Sequence, residues 1–146
     1  MSYLSLEGTA DYLAAYPAIM TAFVATGSIS AGNMVRMMAD TGFVKKSDDA
    51  LGTGSVVGVA YISASDGDKV GVISWGYIKN IVATGSVGYG VQIMCSDLGK
   101  VRAWVTGSWD GGDYNELMRQ ALKVKGIAVT SATDGNKFMA FLDCMR

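Results

Sequence analysis

Gly58-Val59-Ala60-Tyr61-Ile62-Ser63-Ala64-Ser65-Asp66-Gly67-Asp68-Lys69-Val70 recurs near the C-terminus as Gly126-Ile127-Ala128-Val129-Thr130-Ser131-Ala132-Thr133-Asp134-Gly135-Asn136-Lys137-Phe138. Each copy reads as a strand, a turn and a returning strand. Asp-Gly between runs of β-branched and apolar residues is a strong hairpin signal, because a two-residue primed turn needs positive φ at its centre. Glycine adopts that conformation without a Cβ clash, and aspartate tolerates it. A turn at Asp66-Gly67 predicts that Ser63 pairs with Val70 and Tyr61 with Val72. One at Asp134-Gly135 predicts that Ser131 pairs with Phe138 and Ile127 with Leu142.

A second duplicated stretch precedes each hairpin. Ala25-Thr26-Gly27-Ser28-Ile29-Ser30-Ala31-Gly32-Asn33-Met34-Val35 resembles Ala83-Thr84-Gly85-Ser86-Val87-Gly88-Tyr89-Gly90-Val91, and after a one-residue slip Asp40-Thr41-Gly42-Phe43-Val44 resembles Asp97-Leu98-Gly99-Lys100-Val101. Two segments repeated in the same order predict two copies of one β unit, about residues 25–78 and 83–146. The fold class expected is mainly β: a small sandwich- or barrel-like domain over residues 23–146, preceded by an N-terminal arm over residues 1–22.

The arm belongs to neither copy. Tyr12, Ala15, Ile19 and Phe23 fall at near-helical spacing, but Pro17 would break any helix drawn through them. An extended or broken arm is expected, with Tyr3, Leu4, Leu6, Tyr12, Leu13 and Tyr16 as its apolar contacts. Two roles stand open for it: docking on a neighbour by strand addition or groove filling, and packing back on its own domain.

One helix is expected, near residues 113–124. Asp113 and Glu116 have capping-box spacing, and Tyr114, Leu117, Met118, Ala121 and Leu122 form one apolar stripe behind them.

The chain of 146 residues is long enough to bury roughly 68 to 70% of its unfolded surface without a disulfide or metal. Hydrophobic residues make up 50% of it and charged residues 17%, against about 25% charged in ordinary soluble domains. A surface this poor in charge points to an oligomer or larger assembly. The net charge of -1 gives no field to steer the protein onto nucleic acid or an anionic membrane. No apolar run reaches the roughly 20 residues of a membrane span.

Chemistry is hard to build from what remains. The chain has no histidine, so mechanisms built on Ser-His, Cys-His or His-ligated metal are excluded. Asp66-Gly67-Asp68 and Asp134-Gly135-Asn136 lack the ligand order and terminal glutamate of a calcium loop, and Gly52-Thr53-Gly54 lacks the Lys-Ser/Thr ending of a phosphate loop. Asp48-Asp49 reads as a solvated turn. No catalytic residue, cofactor or metal site is expected, and Cys95 and Cys144 are expected as free thiols in a reduced compartment. The Trp75-Gly76-Tyr77 strand is the remaining site candidate. Its aromatics suit an interface, or, joined by Trp104 and Trp109, a stacked sugar.

The order Ile-Ser-Ala-Gly-x-x-Val at residues 29–35, then Val-Val-Gly-Val-Ala-x-x-x-Ala-x-x-Gly-x-x-Val at 56–70, echoed at 87–91 and 125–138, resembles the capsid decoration (head cement) proteins of tailed phages. The resemblance covers most of the chain from about residue 25, with the arm, the helical insertion and the Trp75 strand as departures. It implies a non-enzymatic β-rich domain, often a homotrimer, made in the host cytoplasm. Such a protein binds the major capsid protein on the capsid exterior of the virion and resists internal pressure. Trp75 and Tyr77, with the arm's apolar residues, are then the expected capsid or subunit interface. A tail or fibre module and a carbohydrate-binding module are the alternatives.

Overall fold

The computed structural model describes residues 14–38, 42–48, 56–104 and 124–144. Their regular structure is almost entirely strand: β1 (Ala14–Ala25), β2 (Met34–Met37), β3 (Phe43–Lys46), β4 (Val56–Ala60), β5 (Lys69–Val82), β6 (Gln92–Cys95), β7 (Val101–Ala103), β8 (Gly126–Ala128) and β9 (Lys137–Asp143), with one 3₁₀ turn at Asp97–Gly99. The mainly β expectation is met. The helix expected near residues 113–124 falls outside the described residues up to Lys123; Val124 itself is buried and non-helical.

The strands form one sheet in the order β1-β3-β2-β4-β5-β9-β8-β6-β7, and β1 also pairs with β5. That extra pairing closes β1, β3, β2, β4 and β5 into a ring. A second ring runs through β5, β9, β8, β6 and β7 and is closed by a parallel bridge between Ala83 and Val101. The long strand β5 belongs to both, pairing with β4 at Val72 and Ile73 and with β9 from Trp75 to Val82. Closing a sheet on itself removes open edges, which suits strands this short.

The rings correspond residue for residue. Met34 pairs with Val59 and Val35 with Gly58 in the first; Gln92 pairs with Ile127 and Ile93 with Gly126 in the second. Ala60 opposite Val72 answers to Ala128 opposite Ala140, and Phe23 opposite Val70 to Ile81 opposite Phe138. The parallel pair Ala25 and Val44 answers to Ala83 and Val101. The ring interiors correspond too. Ala25, Ile29, Val35, Val44, Ala60, Val70 and Val72 fill the first, and Ala83, Val87, Ile93, Val101, Ala128, Phe138 and Ala140 take the same places in the second. Alternation along β9 shows why: Phe138, Ala140 and Leu142 are buried, while Lys137 is exposed and Met139, Phe141 and Asp143 lie between, so period two decides which side chains enter the ring. Each large aliphatic so buried contributes roughly 1.5–3 kcal/mol.

The duplicated turns sit between β4 and β5 and between β8 and β9, but their geometry differs from the expected primed hairpin. The observed register is one residue over: Tyr61 N–H donates to Gly71 O rather than facing Val72, and Ile127 lies opposite Phe141 rather than Leu142. Positive φ is confined to Gly67 (85°) and Gly135 (78°), with Asp68 N–H donating to Ser65 O and Asn136 N–H to Thr133 O. This is a turn needing glycine at its third position only. The cause is competition for the backbone. Ala64 leaves the hairpin ladder to bridge Ile29, and Ala132 does the same with Val87.

The described part of the arm is extended strand. A boundary at residue 22 falls inside β1, whose residues 18–24 pair antiparallel with Gly76 to Lys69 of the same chain. For its described part, strand pairing within the chain prevails. The register shifts between Ala14 and Ala18, where Pro17 has no N–H to offer a ladder.

Candidate interaction surface

A row of side chains crosses each ring at corresponding positions, since residues directly opposite one another on neighbouring strands share a face. In the first ring the row is Ser47, Met34, Val59, Ile73 and Met20, linked by Ser47 N–H to Met34 O at 2.8 Å and by the β2–β4, β4–β5 and β1–β5 ladders. The first four are buried, and Met20 at the β1 end is exposed. Met34, Val59 and Ile73 share a cluster with Ile78, Leu142 and Cys144, so this outer face of the first ring is covered by the second.

The same row in the second ring is Trp104, Gln92, Ile127, Phe141 and Tyr77, linked by Trp104 N–H to Gln92 O at 2.7 Å and by the β6–β8, β8–β9 and β5–β9 ladders. It lies open. Ile127 is 46% and Tyr77 40% exposed, Gln92 is exposed, and Trp104 and Phe141 are partly so. Val129, 42% exposed, extends it. Phe141 organises the aromatic end, with Trp75 at 5.2 Å and 84° and Tyr77 at 5.0 Å and 68°, both edge-on. Such pairs add about 0.5–1.5 kcal/mol beyond their area and hold the rings in fixed rotamers. A rigid apolar row with one amide and no charged member suits contact with another protein surface.

Of the residues singled out from sequence, Trp75 and Tyr77 come together here, and Trp104 joins at the far end. Tyr3, Leu4, Leu6, Tyr12, Leu13 and Trp109 lie outside the described residues. Tyr16 lies within β1, in the irregular stretch between Ala14, opposite Ile78, and Ala18, opposite Gly76. Ile127, Gln92 and Phe141 were missed. The expected register set Ile127 opposite Leu142, which points inward; one residue of slip moves it to the outer face. The alternation of β9 alone would have placed Phe141 outside.

The described residues contain no group of three or more His, Cys, Asp or Glu able to hold a metal, and no helix among them is long and apolar enough to cross a membrane. Cys95 is half-buried and Cys144 buried, with no disulfide between them. Burial pushes the Cys144 thiol up to about 12, against the opposing pull of Lys125, so it stays protonated and is a poor nucleophile. Its Sγ lies 3.9 Å from Lys125 O, and Cys95 Sγ lies 3.4 Å from Asp48 O. Asp48 in turn pairs with Arg36 at 3.4 Å, a structural use of that turn.

No family model matches the sequence. No curated protein matches it either. Solved structures do. The chain is similar to the N base of head fibre gp8.5 of bacteriophage phi29, with a TM-score of 0.59 and 15% identity over 88% of this chain and 96% of that one. It is also similar to a chain from the capsid of Myoviridae phage XM1, with a TM-score of 0.57 and 14% identity over 98% of this chain and 97% of that one. At these identities the likeness is one of fold.

Proposed function

We propose that this protein is a non-enzymatic structural component of a tailed-phage virion, which binds the outer surface of the assembled capsid as a symmetric homo-oligomer and stabilises it. The observation that carries the reading is the contrast between the two rows. A face that the chain buries in its first ring, all but its Met20 end, is left open in its second and fitted with edge-packed aromatics, in a fold shared with a phage head fibre base and a phage capsid chain. The residue-for-residue correspondence of the rings supports a duplicated unit, about residues 25–78 and 83–146, whose second copy keeps for a partner the face its first copy uses internally.

The partner in this reading is the major capsid protein, and the row around Tyr77, Phe141 and Ile127 is the foot that touches it. Each foot can be weak. Once one subunit of an oligomer is bound, the others engage at high effective concentration, and avidity rises by roughly 10² to 10⁴. Purified protein should co-sediment with expanded, undecorated capsids and saturate at a fixed number of copies per capsid. A fibre module is the second reading, favoured by the likeness to a head fibre base. Saturation at a few sites per capsid, in place of a lattice of sites, would select it.

A further inference from the structure

The correspondence between the rings also exposes an unfilled position. The last part of β5 in the second ring takes the place of β1 in the first, since Ala83 bridges Val101 as Ala25 bridges Val44, and Thr84 N–H donates to Val101 O as Thr26 N–H does to Val44 O. Beyond its bridge, the edge of β5 on that side is occupied: β1 runs antiparallel along it, with Ala18 opposite Gly76 and Ala14 opposite Ile78. Beyond its own bridge, the same edge of β1 has no partner among the described residues. β1 pairs with β3 only at Val24 and Ala25, and among the described residues no strand lies along that edge at residues 18–22.

Those five residues are all exposed, with Ile19 at 46% and Met20 at 56%. An open strand edge presents unpaired N–H and C=O groups, and proteins ordinarily guard one with lysine, proline or a bulge. Ala18-Ile19-Met20-Thr21-Ala22 carries no charge. Pro17 and the register shift between Ile19 and Met20 limit how far a ladder could extend, without closing the edge.

We infer that this edge is a self-association site, at which β1 of one copy pairs antiparallel with β1 of a second about a two-fold axis. Two features select a second copy as occupant. The strand that fills the corresponding position in the second ring is β1 itself, in antiparallel sense. A two-fold contact also sets each residue against its own kind or near neighbours, where any charge would meet its like; the strip has none. The contact deepens the proposed function, on which it rests, by giving the symmetric oligomer its interface.

The test is the oligomeric state of the intact chain by sedimentation equilibrium. The wild type should be a dimer. Ile19→Lys/Thr21→Lys and Ile19→Glu/Thr21→Glu should each weaken the dimer at least roughly tenfold, about 1.4 kcal/mol, with unchanged melting. An equimolar mixture of the two should dimerise again, because only a strip facing itself brings lysine against glutamate. As a check independent of variants, amide exchange at residues 18–22 of the wild type should slow as protein concentration rises. A monomeric or trimeric wild type overturns the inference, as do charged variants that still dimerise alone, a mixture that stays monomeric, or exchange that ignores concentration. Capsid binding is scored separately: a dimer that ignores capsids removes the function and leaves this contact standing, whereas a monomer that binds them does the reverse.

Discussion

Gly85 donates its N–H to the carboxylate of Asp134 at 2.8 Å, and Gly27 makes the matching bond to Asp66 at 2.7 Å. Each bond ties a duplicated turn to the loop that opens the same ring, beside Gly135 N–H to Ala83 O and Gly67 N–H to Ala25 O. The aspartates therefore serve a cross-link between loops, while their glycines make the turn. Asp66→Ala and Asp134→Ala should each cost about 1 kcal/mol in urea unfolding, the net worth of an exposed bond to a charged acceptor. Asn at either position keeps an acceptor oxygen and should cost less. Equal costs at the two sites are expected; an effect at one alone would contradict their equivalence.

Gly58 and Gly126 set the approach of strands in each ring. An added Cβ would fall on the carbonyl oxygen of Ile73 at the first and of Phe141 at the second. Backbone on a paired strand cannot step aside as a side chain can. Gly58→Ala and Gly126→Ala should each destabilise by roughly 1–3 kcal/mol. Gly88→Ala is the control: its Cβ would meet only Val91 Cγ2, at 3.4 Å, and its cost should stay within about 0.5 kcal/mol.

Cys144 makes stability depend on alkaline pH. Its folded-state value is about 12 against an ordinary 9.0, with burial as the main cause. Above pH 9 the unfolded chain gives up this proton and the folded chain keeps it, so unfolding is favoured as pH rises from 9 towards 12. Below pH 9 the group is protonated in both states and contributes no slope. The denaturation midpoint of Cys144→Ala should fall less steeply than that of wild type between pH 9 and 10.5. Parallel curves would show that the thiol ionises freely.

How much of this was readable beforehand turns on a few residues. The repeated Asp-Gly turns and their flanking apolar runs disclosed the β class and the paired organisation, because turn chemistry and period-two burial are local properties. Register was not local. Whether Ile127 faces Leu142 or Phe141 depends on Ala132 leaving the ladder to bridge Val87, a contact between segments far apart in sequence. That single residue of slip hid Ile127 as a member of the exposed row. Trp75 and Tyr77 were visible as aromatics on one strand, but Gln92 and Trp104 join them only through the order β5-β9-β8-β6-β7. For β1, Pro17 argued against helix but could not show that residues 18–24 would pair with β5 of their own chain.

The exposed row should also be separable from the fold. Phe141→Ala removes the ring against which both Trp75 and Tyr77 pack, and should cost stability by about 1–2 kcal/mol, since Phe141 is only partly buried and a fully buried Phe→Ala costs roughly 3–5. Ile127→Lys replaces an exposed side chain and should cost no more than roughly 0.5 kcal/mol, while Tyr77→Lys also loses the edge contact with Phe141 and should cost about 0.5–1.5 kcal/mol. Thermal melts of the three variants check this ranking. Loss of folding in the lysine variants would mean that the row belongs to the core.

The capsid reading rests most directly on one measurement: co-sedimentation of wild type and the Tyr77→Lys/Ile127→Lys variant with expanded, undecorated capsids of the parent phage. The account predicts saturable binding of the wild type and a loss of at least roughly 30-fold in affinity for the folded variant, about 2 kcal/mol, as for a central interface anchor. Wild-type protein that stays in the supernatant at every capsid concentration would contradict it.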